Sequence, residues 1–364
     1  MSLADRLPDF PWDTLLAARG KASAHPDGIV DLSVGTPVDP TPGMAGQALA
    51  AAADAPGYPT VKGAATTSEA IAGYMLRRWA SVPLGEEGVL PVLGTKELVG
   101  WLPTLLGIRQ GDLVVFPSCA YPTYDVGARV AGATPVPLDD PSAVPAGTRL
   151  IWINSPSNPT GAMLTLAELR AWVAAARSAG AVLASDECYG EFAWDAEAIS
   201  VLDPRVNDGN PAGLLAVHSV SKRSNAAGYR AGFVAGDPAV VSELVAVRKH
   251  LGMMLAAPIQ AAMAALLEDQ SHVEAQRDRY LARRGVLRPA LEAAGFRIDH
   301  SQGGLYLWAT RDEPCRQTID HLAELGILAA PGDFYGAGAD QHVRLALTAT
   351  DERISAAAQR LARR

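Results

Sequence analysis

The middle of the chain alternates short apolar runs, rich in valine, leucine and alanine, with stretches whose apolar residues recur at helical spacing. This alternation is typical of a doubly wound α/β fold, in which strands and helices follow one another along the chain. Seven strands are predicted, at Val89–Leu93, Leu113–Phe116, Thr134–Leu138, Leu150–Asn154, Val182–Asp186, Leu214–Ser219 and Gly232–Ala235.

One helix of this region is marked at both ends by its capping residues. Thr165 suits the N-cap position, Glu168 stands where a capping box requires it, and Gly180 suits the C-terminal end. A helix is therefore predicted between the fourth and the fifth strands.

The pattern becomes mostly helical after Pro238, which indicates a second, smaller α+β domain. Residues 1–40 are too short and too rich in proline to bury a core alone, so we expect them to join this domain. The expected large domain covers residues 41–270, and the small one covers 1–40 together with 271–364. The elements predicted after Pro238 are helices at Val241–Leu251, Ile259–Glu268, Val273–Ala294 and from Asp351, and strands at Leu305–Ala309 and His342–Leu347.

Composition and charge narrow the class of protein. Of the 364 residues, 49% are hydrophobic and 19% charged, as in ordinary globular proteins of about two domains. The formal net charge of −8 argues against a nucleic-acid-binding surface, which needs clustered lysine and arginine. The three cysteines, at positions 119, 188 and 315, form no CxxC pair, which argues against a disulfide framework or a zinc site and fits a reducing compartment.

Neither the N-terminal region nor any apolar stretch predicts a membrane location. The first residues lack the apolar region of a secretory signal. The uncharged stretch Leu251–Leu267 is shorter than the roughly 20 residues that a membrane span requires, and Pro258 interrupts it. The histidines show no metal-binding spacing, so no metal is expected. We expect a cytoplasmic protein that binds neither membranes nor nucleic acid.

Polar side chains follow three of the predicted strands at the point where each strand ends. Asn158 lies beyond the fourth strand, Asp186 ends the fifth with Tyr189 close behind, and Lys222 follows the sixth with Arg230 further on. Ligands of open α/β sheets bind at the carboxyl ends of the strands. An amide, a carboxylate, a phenol, an amine and a guanidinium are therefore expected to converge on one cleft.

These residue types match the needs of pyridoxal 5′-phosphate. The aldehyde of this cofactor requires a lysine amine, and its pyridine nitrogen requires a carboxylate in order to stay protonated. The ring oxygen needs hydrogen-bond donors, which a tyrosine hydroxyl and an asparagine amide supply. The phosphate needs serine hydroxyls, an arginine and backbone N–H groups at a helix N-terminus.

The segment Ser219-Val-Ser-Lys, followed by Gly-Tyr-Arg230-Ala-Gly, resembles the lysine signature of class I and II aminotransferases. The resemblance implies a fold-type I transferase dependent on pyridoxal phosphate, with a seven-stranded, mostly parallel sheet and a small α+β domain. It also implies roles for individual residues. Lys222 would bind the aldehyde and move the proton, Ser219, Ser221 and Arg230 would bind the phosphate, Asp186 would bind the pyridine nitrogen, and Asn158 and Tyr189 would bind the ring oxygen.

The resemblance extends upstream of the lysine signature. Gly94-Thr95-Lys96 is similar to the turn that holds the cofactor phosphate, where Lys96 would contribute its backbone. Tyr121 stands where the family has the aromatic residue that stacks on the pyridine ring. Tyr58 resembles the tyrosine that reaches the phosphate of the partner subunit, which implies a homodimer with shared active sites.

Three further residues resemble the family's substrate-binding positions. Arg344, in Val-Arg-Leu-Ala, is similar to the arginine that holds the substrate α-carboxylate by a bidentate pair. Gly35 matches the glycine whose backbone approaches that carboxylate, and Asn158 would help to orient it.

A narrower resemblance is to actinobacterial succinyldiaminopimelate aminotransferases. It is carried by four stretches, which begin at Asp9, Asp31, Ser221 and Ala330. It implies that the protein exchanges the amino group of N-succinyl-LL-2,6-diaminopimelate with 2-oxoglutarate, a step of lysine biosynthesis. No spacing of residues specifies this substrate.

Each candidate residue also has a purely structural interpretation. Lys222 alone could be a solvated surface lysine, Asn158 could shape a turn, and the Asp186 carboxylate could cap a helix. Arg344 could pair with a carboxylate of the small domain, and Tyr121 could be core packing. Cys188 is interpreted as an inert buried thiol. The joint occurrence of these residues, in the family's order, favours the functional interpretation.

Other functions share these motifs. Within the transaminases, specificity for aspartate, alanine, aromatic amino acids or LL-diaminopimelate stays open. A pyridoxal-phosphate-dependent carbon–sulfur β-lyase would release pyruvate and ammonia without an acceptor. A non-catalytic regulator that senses the cofactor would need a DNA-binding module, for which residues 1–40 are too short and too acidic.

Overall fold

The structure is a computed structural model that describes residues 3–8 and 11–362, so Asp9 and Phe10 of the first resembling stretch lie outside it. Within the described residues the strands are β1 (Val30–Asp31), β2 (Val89–Val92), β3 (Leu113–Phe116), β4 (Thr134–Pro137), β5 (Thr148–Asn154), β6 (Val182–Asp186), β7 (Leu214–Ser219), β8 (Gly232–Gly236), β9 (Arg297–Asp299), β10 (Tyr306–Thr310), β11 (Ile327–Leu328), β12 (Ala330–Pro331) and β13 (His342–Ala346).

The α-helices of the same residues lie on both faces of the main sheet and around the smaller ones. They are α1 (Leu16–Ser23), α2 (Gly43–Ala51), α3 (Ala65–Trp79), α4 (Thr95–Leu105), α5 (Thr123–Ala131), α6 (Leu166–Ala179), α7 (Pro204–Asn207), α8 (Val220–Arg223), α9 (Pro238–Leu251), α10 (Ala257–Glu268), α11 (Ser271–Ala293), α12 (Cys315–Glu324) and α13 (Asp351–Leu361).

The seven predicted strands of the middle region form one sheet, in the order β2-β8-β7-β6-β5-β3-β4. β8 runs antiparallel to both of its neighbours, and the other pairings are parallel. The central strands are buried along almost their whole length because helices cover both faces of a parallel sheet. The prediction of a doubly wound α/β fold with a mostly parallel seven-stranded sheet is therefore confirmed.

The carboxyl ends of the central strands lie side by side. Asn154 at the end of β5 pairs with Asp186 at the end of β6, and β7 ends next to them at Ser219. The segments that follow these three strands therefore leave the sheet at one edge, as the sequence predicted.

A second layer of structure is built from the C-terminal region and the N-terminal segment. β12, β13, β10 and β9 form an antiparallel sheet, and β1 pairs in parallel with β11. Leu15 and Ala22 near the N-terminus pack in the same core as Leu307 of β10 and Leu345 of β13. We retain as a proposal the division into a large domain of residues 41–270 and a small one of 1–40 with 271–364.

The predicted capping of α6 is present in full. The Thr165 hydroxyl accepts a hydrogen bond from the Glu168 backbone N–H at 3.3 Å, and the Glu168 carboxylate accepts one from the Thr165 N–H at 2.7 Å. Gly180 ends the helix with a φ of 64°, a left-handed conformation that glycine adopts without strain.

The uncharged stretch around Pro258 is divided between two helices. α9 ends at Leu251, and α10 begins only at Ala257. Across residues 3–8 and 11–362, no helix combines the length and the apolar character that crossing a bilayer requires.

Candidate active site

A cavity of about 510 Å³ opens at the carboxyl edge of the central sheet, where it meets the smaller sheets. Its lining comes from segments that are far apart in the sequence, before, within and after the main sheet. Twelve of the residues singled out in the sequence line it: Gly35, Thr95, Lys96, Tyr121, Asn158, Asp186, Tyr189, Ser219, Ser221, Lys222, Arg230 and Arg344.

Two predicted site residues do not line this cavity directly. Gly94 lies just behind the lining, where a β-carbon would be 2.4 Å from a guanidinium nitrogen of Arg230. Glycine is required at position 94 both by this close approach and by the φ of 86°. Tyr58 is 97% exposed on the single chain. Its expected role involves a partner subunit, so it stays a prediction.

Lys222 lies on the short helix α8, which follows β7 directly and projects the lysine over the edge of the sheet. Its amine donates a hydrogen bond to the backbone carbonyl of Gly35. Burial lowers the pKa of the Lys222 ammonium, and the nearby guanidinium groups of Arg344 and Arg230 lower it further. A lowered pKa favours the neutral amine, which is the form that attacks an aldehyde.

Asp186 is held by two hydrogen bonds at the bottom of the cavity. One carboxylate oxygen accepts the Tyr124 hydroxyl at 2.8 Å, and the other accepts the backbone N–H of Cys188 at 3.2 Å. Burial raises the pKa of Asp186 even though both hydrogen bonds favour the ionised form. A protonated ring nitrogen beside this carboxylate would supply the missing positive charge.

The N-terminus of α4 and the residues after β7 form one corner of the cavity. Thr95 is the first residue of α4, whose initial backbone N–H groups have no partner within the helix. Ser219, Ser221 and Arg230 line the cavity with it, and the Ser219 hydroxyl accepts the Ser221 N–H at 3.0 Å. Hydroxyl groups, a guanidinium and a helix N-terminus together make a site for a phosphate group.

Arg344 on β13 is a buried cation, with only 3% of its surface exposed. It donates to the Asn158 side-chain oxygen at 2.8 Å and to the Ser33 carbonyl at 2.6 Å, and its guanidinium lies 4.0 Å from the centre of the Tyr306 ring. Among the described residues no carboxylate lies within ion-pair distance of it, and its Nε has no hydrogen-bond partner. This arrangement leaves the charge available to an anionic ligand.

Tyr306 lines the cavity and was missed in the sequence. Its hydroxyl shares a hydrogen bond with the Tyr189 hydroxyl at 3.0 Å. A β-carbon on Gly35 would lie 2.2 Å from that hydroxyl, so the glycine allows the tyrosine to approach. The only local signal is its place at the start of a predicted strand, which does not distinguish it from core packing.

Three other lining or supporting residues were not predicted to act at the site. Tyr124 holds Asp186, Trp12 reaches the cavity from the N-terminal segment, and Cys188 lines it. Burial raises the pKa of the Cys188 thiol, which agrees with an inert thiol. Tyr124 follows Tyr121 by three residues in the chain, a proximity that could have indicated it.

The chemistry of these donors fits pyridoxal 5′-phosphate. The cavity combines an amine of lowered pKa, a buried carboxylate and phenol groups with a phosphate-binding corner. Burial also raises the pKa of Tyr121 to about 12, which keeps its ring neutral beside the cavity. The buried Arg344 is not required for these cofactor contacts, so it is available to bind a second, anionic molecule.

The family model for aminotransferase class I and II matches residues 27–361 of the chain. A probable aminotransferase of Mycobacterium tuberculosis is 58% identical over 98% of this chain and 85% of its own length. The 4-dedimethylamino-4-oxo-anhydrotetracycline transaminase OxyQ of Streptomyces rimosus is 57% identical over 98% of this chain and 99% of its own. The LL-diaminopimelate aminotransferase of Aquifex aeolicus is 32% identical over 92% and 90%.

Among solved structures, an aminotransferase of Neisseria meningitidis superposes with a TM-score of 0.90 at 27% identity, over 99% of this chain and 98% of that one. The match of the family model and the relatives cover almost the whole chain, and the cavity holds the residue types that the family's cofactor requires. The chain therefore belongs to the class I and II aminotransferases, and pyridoxal 5′-phosphate is its cofactor.

Proposed function

We propose that this protein exchanges the amino group of N-succinyl-LL-2,6-diaminopimelate with 2-oxoglutarate. The observation that supports an amino acid substrate is the position of Arg344. It is a buried guanidinium without a carboxylate partner among the described residues, in the same cavity as the Lys222 amine. A substrate with adjacent amino and carboxylate groups can engage both at once.

Each residue of the cavity would have its own role in binding the cofactor. Lys222 would hold the cofactor by its aldehyde, Asp186 its ring nitrogen, and Ser219, Ser221, Arg230 and the α4 N-terminus its phosphate. Tyr121 would cover the face of the ring, and Asn158 and Tyr189 would contact the ring oxygen. When bound, the cofactor supplies an electron sink that makes the substrate Cα–H acidic.

The chain's own groups would then position the donor and move one proton. Arg344 would bind the α-carboxylate by two parallel hydrogen bonds, and its contact with Asn158 would fix the plane of the guanidinium. The Lys222 amine, whose pKa burial lowers, would take the proton from the donor Cα. Its hydrogen bond to the Gly35 carbonyl aims the amine at the carboxylate side of the cavity.

Two considerations support the succinylated donor. The stretches around Asp31, Ser221 and Ala330 resemble those of succinyldiaminopimelate aminotransferases. LL-diaminopimelate aminotransferases are also among the relatives, at 32% identity in Aquifex aeolicus, and their named substrate shares the same carbon skeleton.

A second candidate is the amination of a ketone on a large ring system. It is favoured by the 57% identity to OxyQ, whose name specifies a 4-oxo-anhydrotetracycline substrate. In this reaction an amino acid would load the cofactor with its amino group, and the ring ketone would take the place of 2-oxoglutarate.

A half-reaction measured on the purified holoenzyme tests the first candidate. We expect N-succinyl-LL-2,6-diaminopimelate to shift the visible absorbance band of the cofactor, and 2-oxoglutarate to restore it. A band that ignores this donor but responds to another amino acid would refute the substrate and retain the aminotransferase. Acceptor-independent release of pyruvate from a cysteine conjugate would instead support the β-lyase.

A further inference from the structure

A second cavity of about 660 Å³ adjoins the catalytic one, with which it shares lining residues. We name it the distal chamber, and it is lined by Leu7, Pro11, Trp12, Val34, Tyr121 and Val126 among others. Trp12, Val34, Lys96 and Tyr121 line both cavities. A molecule held at Lys222 and Arg344 that extends past these shared residues would enter the distal chamber.

The N-terminal segment forms one wall of the distal chamber, and side-chain contacts hold this segment in position. The Trp12 ring packs against Phe334 at 5.3 Å between ring centres. The Thr14 hydroxyl accepts hydrogen bonds from the Arg316 guanidinium at 3.1 Å, and Arg316 is itself paired with Asp333 at 2.7 Å. A wall held by such contacts loses little conformational freedom when a ligand binds.

The chemistry of the distal chamber is that of an apolar ligand site. The described lining consists of proline, leucine, valine and aromatic side chains, with Thr123 as an uncharged polar residue and Lys96 at the boundary with the catalytic cavity. No aspartate or glutamate belongs to this described lining. Val34 is 41% exposed, although it lies between the two cavities. Covering such apolar surface is favourable, whereas burying a charge against it is costly.

We propose that the distal chamber is a substrate subsite that selects a large, uncharged, apolar group at the far end of the amino- or oxo-substrate. The proposal rests on the amino-group transfer common to both candidate functions above, because it assumes that the reacting end lies between Lys222 and Arg344. We therefore expect long aliphatic or flat ring groups to bind more tightly than short side chains, and more tightly than chains that end in a carboxylate. Of the two candidate functions, it favours the large ring ketone.

The first test is a series of unreactive carboxylic acids titrated into the holoenzyme by calorimetry. Propanoate, hexanoate and octanoate share the carboxylate that Arg344 would bind and differ only in chain length. Because each buried methylene strengthens binding by about fourfold, we expect octanoate to bind at least about 50-fold more tightly than propanoate. Octanedioate has the same length and a second carboxylate, and we expect it to bind at least about tenfold more weakly than octanoate.

A variant pair tests whether the distal chamber itself is responsible. Val126 on α5 lines the distal chamber and is not part of the catalytic lining. Val126→Asp should weaken octanoate binding by about tenfold and leave propanoate within about twofold, because a carboxylate would then face the chain. Val130→Asp is the matched control, since Val130 lies one turn further along α5 and does not belong to the described lining. It should leave both affinities unchanged.

Equal affinity along the acid series would overturn the proposal, as would tighter binding of octanedioate than of octanoate. Equal effects of the two aspartate substitutions would also overturn it. The acid series measured on the wild-type protein provides a test even where a variant does not fold. These outcomes are independent of turnover. A steep chain-length series with no response to the succinylated donor would retain the distal chamber and reject the first candidate function. Equal affinity for all the acids together with full turnover of that donor would reject the distal chamber and retain the first candidate function.

Discussion

Lys222 and Arg344 are two basic residues that face one cavity, and among the described residues neither has a carboxylate within 4.0 Å. Burying an unpaired charge costs free energy, and an anionic ligand offsets that cost when it binds. Lys222 reduces the cost further because its pKa is lowered, so it can lose its charge. Arg344 cannot, since guanidinium groups stay protonated in proteins. The two residues are therefore suited to different partners, an aldehyde and a carboxylate.

Lys222→Ala should abolish turnover and the visible absorbance band of lysine-bound cofactor. The fold should remain, because the side chain enters the cavity and its only described hydrogen bond goes to Gly35. Lys249→Ala, on the exposed side of α9, is the control and should change neither property. Absorbance spectra, turnover and thermal unfolding of the three proteins provide the test. Retained turnover in Lys222→Ala would refute the assignment of the whole site.

Arg344→Ala should weaken the binding of carboxylate substrates by about 2–5 kcal/mol, the typical result of removing one partner of a buried charged pair. The Michaelis constant of the donor measures this change. Simple amines that lack the carboxylate provide the matched comparison, because their binding should be equal in the variant and in the wild type. An unchanged Michaelis constant for the amino acid would show that Arg344 is structural.

At the scale of elements, the long and periodic ones were predicted to within a few residues. The strands β3, β6 and β7 have the predicted bounds, and α11 and α13 begin within two residues of the predicted positions. β1, β11 and β12 were not predicted, and each consists of two residues. A run of two residues is too short to show a hydrophobic periodicity. These strands form because tertiary packing brings their backbones together.

Thr165→Ala tests the contribution of one element to stability. The substitution removes the hydroxyl that accepts the Glu168 N–H at the start of α6. We expect the free energy of unfolding to fall by about 1 kcal/mol, the usual cost of losing an N-cap. Turnover should be unchanged, because Thr165 does not line the catalytic cavity. Thr165→Ser keeps the hydroxyl and should restore the stability measured by denaturant unfolding.

At the scale of the whole molecule, the lowered pKa of Lys222 predicts how the stability of the cofactor-free protein depends on pH. The unfolded chain binds this proton more tightly than the folded one, because burial lowers the folded pKa below the ordinary 10.5. The contribution of Lys222 therefore opposes folding most at pH values below the folded pKa, and it vanishes as the pH rises towards 10.5.

Lys222→Met removes this titration and should stabilise the cofactor-free protein at neutral pH. The difference in the free energy of unfolding between the variant and the wild type should shrink as the pH is raised from about 7 to about 10. Denaturant unfolding at several pH values measures it. A stability difference that is the same at every pH would contradict the prediction.

The expected sharing of active sites between two subunits can be tested by complementation. In each site of such a dimer Lys222 would come from one chain and Tyr58 from the other. Mixing Lys222→Ala subunits with Tyr58→Ala subunits should then rebuild one intact site in each hybrid dimer. We expect activity above that of either variant alone, measured after the subunits have exchanged. Activity that only averages the two parents would argue that Tyr58 acts within its own chain or not at all.

The sequence alone determined the main sheet and the residues that follow its strands. Buried parallel strands are apolar along most of their length, and Asp186 ends such a run whereas Lys222 follows shortly after one. Their position at the edge of the sheet therefore follows from local pattern. Resemblance to a family then supplied roles for residues in less regular segments, Gly35 and Arg344 among them.

The tertiary structure decided which distant segments meet at that edge. The contact of Tyr306 with Tyr189 and Gly35, and the wall that Trp12 gives to the distal chamber, depend on how the smaller sheets pack against the main one. Apolar periodicity shows that a residue is buried, but it does not specify against which partner. The binding of the cofactor could therefore be predicted from the chain, whereas the shape and polarity of the space for the distal part of the substrate could not.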